Sequence, residues 1–186
     1  MSNEAGLKRA ERRAVSREIR TFKAACLAID DKISVATLRN ISRLGAGFEG
    51  ISGLKVGQPL SYRFGNRDFV DAVVAWTEGN NFGVAHLEEV AFEARQPFTY
   101  RSVRVPFVDE ATMFWRGQKS SVALSNVSQR GFCVIADDIP PKGSLVTLRC
   151  RGRTFEGVES RWSRFGFAGL TLAKPLKIPE LAEMVS

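Results

Sequence analysis

"LRNISRLGAGFEG", Leu38 to Gly50, and "LSNVSQRGFCVIA", Leu124 to Ala136, lie 86 positions apart in a chain of 186 residues. Each carries Asn-x-Ser-x-x-Gly: Asn40, Ser42 and Gly45 in the first stretch, Asn126, Ser128 and Gly131 in the second. The same offset sets Gly57 on Gly143, Phe69 on Phe155, Trp76 on Trp162 and Gly83 on Gly169, with no gap between Asn40 and Gly83. The chain has three tryptophans, so a matched pair is informative. A period this long predicts two copies of one domain, because solenoid repeats run to about 20–50 residues. Upstream the offset becomes 84, which sets Arg17 on Arg101 and Arg20 on Arg104.

Within each copy the pattern is all-β. In the first, "TFKAACLA" and "ISVATLR" flank the break Asp30-Asp31-Lys32; "GAGFEGIS", "QPLSYRF", "RDFVDAVVAW" and "NFGVAHL" follow, parted by Gly57, Gly65-Asn66 and Gly79-Asn80. Gly-Asn between alternating apolar runs is a hairpin signal. Strict alternation puts Phe69, Asp71, Val73 and Ala75 on one face of a strand and Val70, Ala72, Val74 and Trp76 on the other. The second copy has a turn around Gly152 and ends in "SRFGFAGLTL". Six short antiparallel strands in about ninety residues suit a small closed barrel, which leaves no exposed edge. The expected architecture is two six-stranded barrels in tandem, with a short helix after each. Leu87 to Pro97 forms the first, stopped by Pro97, and Pro179 opens the second. The domain boundaries expected are an arm over 1–11, a first barrel over 12–96, a second over 97–178 and a terminal helix over 179–186.

Composition narrows the chemistry. No run approaches eighteen apolar residues and no apolar leader opens the chain, so neither a membrane span nor a secretory signal is expected. Cys26, Cys133 and Cys150 are scattered, odd in number and without metal-ligand spacing, which suits a reducing compartment and a cytoplasmic location. The single histidine, His86, cannot build a multi-histidine metal site, and no candidate nucleophile has a visible base. There is no Walker A and no GxGxxG pattern. No catalytic residue, metal or enzymatic cofactor is expected. The formal net charge is +7. Residues 1–23 contribute +4, residues 24–97 contribute −2 and residues 98–186 contribute +5. An anionic partner suits that balance, though a solvated basic tail gives the same count.

Asn and Ser two apart share one strand face, and the following Gly permits a turn or a close approach. Asn40, Ser42 and Gly45 thus form a polar ledge at a strand end. The same residues also mark an ordinary turn, so two readings stay open. Ahead of it, "ERRAVSR" gathers Arg12, Arg13 and Arg17. Guanidinium groups bind phosphate bidentately and stack on bases.

Taken together, Arg12-Arg13-x-x-x-Arg17 followed by Asn40-x-Ser42-x-x-Gly45 resembles the PilZ domain, a bacterial receptor module for cyclic di-GMP. Trp76 and "FGVAHL" resemble the family's final strands, and the resemblance covers nearly the whole chain as two copies. It implies that the three arginines grip phosphates and stack on guanine, that Asn40 meets a guanine edge, that Ser42 hydrogen-bonds the ligand and that Gly45 lets the backbone approach it. Trp76 would line the site, or else belong to the core. It also implies a receptor without catalysis that signals through arm or domain rearrangement to a flagellar, polysaccharide-synthesis or regulatory partner. The second copy departs from the pattern: Arg101 matches Arg17, but Gln96 and Pro97 stand where Arg12 and Arg13 stood. Each lost charged hydrogen bond costs roughly 1.5–3 kcal/mol. Arg101, Asn126, Ser128 and Gly131 are therefore expected to form a weaker second site or none. Two rivals remain. One is a ligand-free interaction module; the other is a basic barrel binding nucleic acid, disfavoured because no strand shows an evident run of interleaved Arg and Phe.

Overall fold

The computed structural model describes residues 19–90 and 101–186. The first barrel contains β1 (Ile19–Ile29), β2 (Lys32–Ile41), β3 (Gly45–Glu49), β4 (Pro59–Phe64), β5 (Val70–Glu78) and β6 (Asn81–His86). The second contains β7 (Val105–Trp115), β8 (Gln118–Ser128), β9 (Gly131–Ile135), β10 (Leu145–Cys150), β11 (Arg153–Arg164) and β12 (Phe167–Thr171). Each is closed, in the order β1-β2-β3-β6-β5-β4 and in the matching order β7-β8-β9-β12-β11-β10. All of the registered pairings are antiparallel, and the chain divides into two compact units, one holding most of the first barrel and the other holding the second.

Turn chemistry places the hairpins. Asp30 and Asp31 both take left-handed backbone, at φ 47° and 62°, the pair of positive angles that a tight two-residue hairpin needs. Arg116-Gly117 and Arg151-Gly152 repeat the device in the second barrel.

The first barrel is filled by aromatic packing. Phe48 meets Tyr62 edge-on at 4.9 Å between ring centroids and stacks on Phe82 at 5.1 Å, with Leu27, Leu38 and Val74 around them, all nearly solvent-free. Burying one such side chain stabilises by about 1.5–3 kcal/mol. The same positions in the second barrel hold Val134, Leu148 and Ala168, which are buried too. α1 (Ile178–Val185) follows that barrel and buries Ile178, Leu181 and Met184. Pro179 stands in its first turn, and the Glu180 carboxylate accepts the Lys177 N–H at 2.7 Å.

One expected helix is corrected at its start. Leu87 to Val90 are not helical: the Leu87 N–H donates to the Asp71 carbonyl at 3.0 Å and the Val90 N–H to the Arg43 carbonyl at 3.0 Å. Those bonds hold the chain along the sheet, where helical i→i−4 bonds cannot form. The remainder of that helix, to Pro97, lies outside the described residues. Among the described residues no helix is long and apolar enough to cross a membrane.

Candidate functional site

The ledge begins with two bulges. In β2 the pairing with β3 shifts between Leu38 and Asn40, and in β5 the pairing with β6 shifts between Val74 and Trp76. A bulge adds one residue to a strand and reverses the side-chain alternation beyond it. Leu38 points into the barrel, and Arg39 takes up the bulge. Asn40 then faces out, and Ile41 faces in again. Likewise Val74 is buried, whereas Trp76 is 48% exposed. The strict alternation that put Val74 and Trp76 on one face is therefore overturned, and Trp76 is a surface residue.

The bulges bring four residues into one line across four strands. Asn40 pairs with Gly47, Gly47 with Gly83, and Gly83 with Trp76. With about 4.8 Å between neighbouring strands, the row spans roughly 14 Å. Both glycines are there because side chains lie over them. A Cβ on Gly83 would stand 2.0 Å from Nε1 of the Trp76 indole, and a Cβ on Gly47 would stand 2.7 Å from Oδ1 of Asn40. Asn40 and Trp76 thus lie flat against the sheet from opposite ends of a two-glycine floor. Neither Gly47 nor Gly83 stands out in the sequence as a site residue. The signal that could have found them is their register opposite Asn40 and Trp76.

Ser42 and Gly45 serve the turn. The Ser42 N–H donates to the Gly45 carbonyl at 2.8 Å, and the Ser42 hydroxyl donates to the same oxygen at 3.3 Å. A Cβ on Gly45 would meet the Val84 carbonyl oxygen at 2.3 Å, so strand packing already requires this glycine. Beside the turn, His86 is held on both ring nitrogens: Nε2 lies 2.7 Å from the Tyr62 hydroxyl and Nδ1 lies 3.0 Å from the Arg43 carbonyl. Burial lowers the His86 pKa, against a smaller upward pull from the Arg43 carbonyl. Burial raises that of Tyr62.

Arg12, Arg13 and Arg17 lie outside the described residues. The hairpin turned at Asp30-Asp31 sets the start of β1 beside the end of β2. Accordingly the Arg39 guanidinium of β2 sits 5.2 Å from the Phe22 ring of β1. The chain thus enters the barrel at Ile19 on the end where Asn40 stands.

The second copy repeats the row with one change. Asn126 pairs with Cys133, Cys133 with Gly169, and Gly169 with Trp162, after bulges at the same places. A Cβ on Gly169 would again fall 2.0 Å from the indole Nε1. Cys133, however, stands where Gly47 stands in the first copy. Its side chain occupies the space over which Asn40 lies, and Asn126 instead donates through Nδ2 to the Ser125 hydroxyl at 3.2 Å. Ser128 and Gly131 repeat the turn, with the hydroxyl donating to the Gly131 carbonyl at 3.3 Å. An open pocket of about 280 Å³ lies over this row, bordered by Asn126, Ser128, Cys133 and Trp162 and by Arg104, Arg130 and Arg161. Arg104 borders it, and Arg101 does not.

Cys26 and Cys150 are buried and all three described cysteines are unpaired. Burial raises the pKa of both buried thiols. Among the described residues no group of three or more His, Cys, Asp or Glu is placed to hold a metal ion.

No family model matches the chain, and no curated protein matches it. Solved structures are similar to it along its length. One is the PlzA protein of Borreliella burgdorferi in complex with cyclic di-GMP, at 12% identity and a TM-score of 0.37, covering 97% of each chain. Another is the inhibitor of motility MotI/DgrA of Bacillus subtilis, at 13% identity and 0.37, covering 88% of this chain and 93% of that one. A third is Escherichia coli YcgR in complex with cyclic di-GMP, at 10% identity and 0.31, covering 97% and 85%.

Proposed function

We propose that the chain is a receptor for cyclic di-GMP and that the first barrel carries the site. The observation that carries this reading is the outward-facing row Asn40–Gly47–Gly83–Trp76, its two buried glycines covered by the amide and the indole, at the barrel end where the chain enters. Asn40 offers one acceptor and two N–H donors to a base edge, and the flat indole offers a stacking face. The glycine floor lets the amide and the indole lie flat against the sheet, which leaves their outer faces to the ligand. Arg17 precedes Ile19 by two residues, and Arg12 and Arg13 precede it within one arm's reach, so three guanidiniums would close over the phosphates from the near side. Ser42 holds the turn with its hydroxyl hydrogen and retains oxygen lone pairs for the ligand.

No step of catalysis is needed. Closing of the arm on the ledge is the signal, and a protein partner in motility, polysaccharide synthesis or gene regulation reads it. The second barrel lacks both the glycine beneath its asparagine and the first two arm arginines, and it binds the dinucleotide weakly or not at all.

Titration of cyclic di-GMP into the wild type and into an Arg13→Ala/Arg17→Ala double variant, with GTP as control, tests the arm. Removing two charged contacts should weaken binding by at least a hundredfold, since each is worth roughly 1.5–3 kcal/mol. Equal affinity in both proteins would remove the arm from the site.

A further inference from the structure

We infer that the outer face of β9, β12 and β11 in the second barrel is a binding surface for single-stranded nucleic acid. This goes beyond the dinucleotide site, which belongs to the first barrel, and it does not depend on it.

The two barrels share a backbone but differ in what this face presents. One row beyond the asparagine–tryptophan line, the first barrel pairs Glu78 with Asn81 and Asn81 with Glu49. The corresponding row of the second barrel pairs Arg164 with Phe167 and Phe167 with Ile135. Two carboxylates have become a guanidinium and an isoleucine, and an asparagine between them has become a phenylalanine. At the bulge Ala75 is matched by Arg161, and at the hairpin tip Gly79 is matched by Phe165. The sequence alone disfavours nucleic acid, because no strand shows an evident run of interleaved basic and aromatic residues. In the structure the interleaving runs around the hairpin from Arg161 to Phe167 and across the strands.

The aromatic groups are held outward. Phe165 is 84% exposed, and Trp162, Phe167 and Ile135 are between 38% and 44% exposed. Phe165 and Gly166 take φ 51° and 78°, the same two-residue hairpin geometry as Arg116-Gly117 and Arg151-Gly152, and the turn projects the ring at the tip where the first barrel has glycine. The Arg164 guanidinium lies 4.7 Å from the Phe165 ring, a preformed basic and aromatic pair. Arg161 is paired with Glu159 at 3.0 Å on the open surface, a contact that a phosphate can replace.

Rings spaced along a face with guanidiniums between them match a strand of stacked bases with phosphates at intervals. The pocket beside them, of about 280 Å³, falls short of the 300–1,000 Å³ usual for a drug-sized ligand and suits one base of a longer strand. The charge agrees, since residues 98–186 carry +5 and residues 24–97 carry −2.

The test is fluorescence anisotropy of end-labelled oligo(dT) and oligo(rU) twelve-mers with the full chain at several salt concentrations. Three proteins are compared with the wild type: Phe165→Ala/Phe167→Ala, Arg161→Ala/Arg164→Ala, and an arm variant with Arg12, Arg13 and Arg17 changed to Ala. All four substituted positions on the face are exposed, so the fold is retained. Saturable binding should weaken at least tenfold in each of the two face variants and change less than threefold in the arm variant. The salt slope of the wild type should be about −1.4 or steeper, two phosphates being engaged at roughly −0.7 each. Failure of the wild type to bind either oligonucleotide would overturn the inference. So would binding that survives both face variants and disappears with the arm, or displacement of the oligonucleotide from this face by cyclic di-GMP itself. Dinucleotide binding measured on the first barrel stands or falls separately.

Discussion

Gly47 and Cys133 occupy one position in two copies of the same barrel, and the difference between them decides where Asn40 and Asn126 point. Over Gly47 the asparagine amide lies on the sheet; beside Cys133 it turns to Ser125. Gly47→Cys should therefore weaken cyclic di-GMP binding at least tenfold in a calorimetric titration. Its thermal midpoint should move little, because the displaced group is a surface side chain. Gly45 stands differently, since its missing Cβ faces the Val84 backbone oxygen at 2.3 Å. Gly45→Ala should cost about 1–3 kcal/mol in urea unfolding, the range for forcing atoms into filled space. Ser42→Ala should cost closer to 1 kcal/mol, one neutral hydrogen bond. The repeated motif thus splits in two, with glycine and serine making the turn and asparagine facing outward on the sheet, where the proposed ligand would meet it. The Asn-x-Ser-x-x-Gly spacing was legible from the repeat, but it left a ledge and a turn as equal readings. Gly47 was not legible, because its role depends on the strand register that sets it opposite Asn40.

Bulges are what turn Asn40 and Trp76 to the outer face. Strict period-two reading of β5 buries Trp76 with Val74, and one extra residue at Ala75 turns the indole outward. No residue type at Arg39 or Ala75 announces a bulge, so this part of the site could not be read from the sequence. The strands themselves could be, since Asp30-Asp31 and the glycine-marked breaks bound them. The contact between β4 and β6 through Tyr62 and His86 adds a pH dependence. Burial holds His86 below its ordinary value of 6.5 in the folded barrel, so between that lowered value and 6.5 the unfolded chain binds more protons. Stability of the first barrel is then full above about 6.5 and declines as pH falls below it. Urea midpoints at pH 7.5 and 5.5 should differ in the wild type and converge in His86→Gln. An unchanged gap in His86→Gln would assign the effect elsewhere. The chain has one histidine, so its imidazole resonance can be followed without assignment.

At the scale of the molecule, one topology has been written twice and furnished differently. The shift between Val146 and Leu148 has no counterpart in the pairing of β4 with β5, but the offset of 86 that matched the sequences also matches the two bulged pairings that build the asparagine–tryptophan row. That is why the two-barrel fold was legible: a repeated pattern needs only one solution. The charge division was legible too, but the shared outer face of Arg161 to Phe167 was not, because it depends on the register shift between Ser160 and Trp162 and on the pairing of β11 with β12. On the proposed reading the first barrel takes cyclic di-GMP and the second a different anionic partner. Isothermal titration of cyclic di-GMP into the wild type, Asn40→Ala and Asn126→Ala separates the two barrels. Saturable binding should be lost in Asn40→Ala and retained in Asn126→Ala. Binding that is lost in Asn126→Ala and retained in Asn40→Ala, or no binding by the wild type, would contradict that reading.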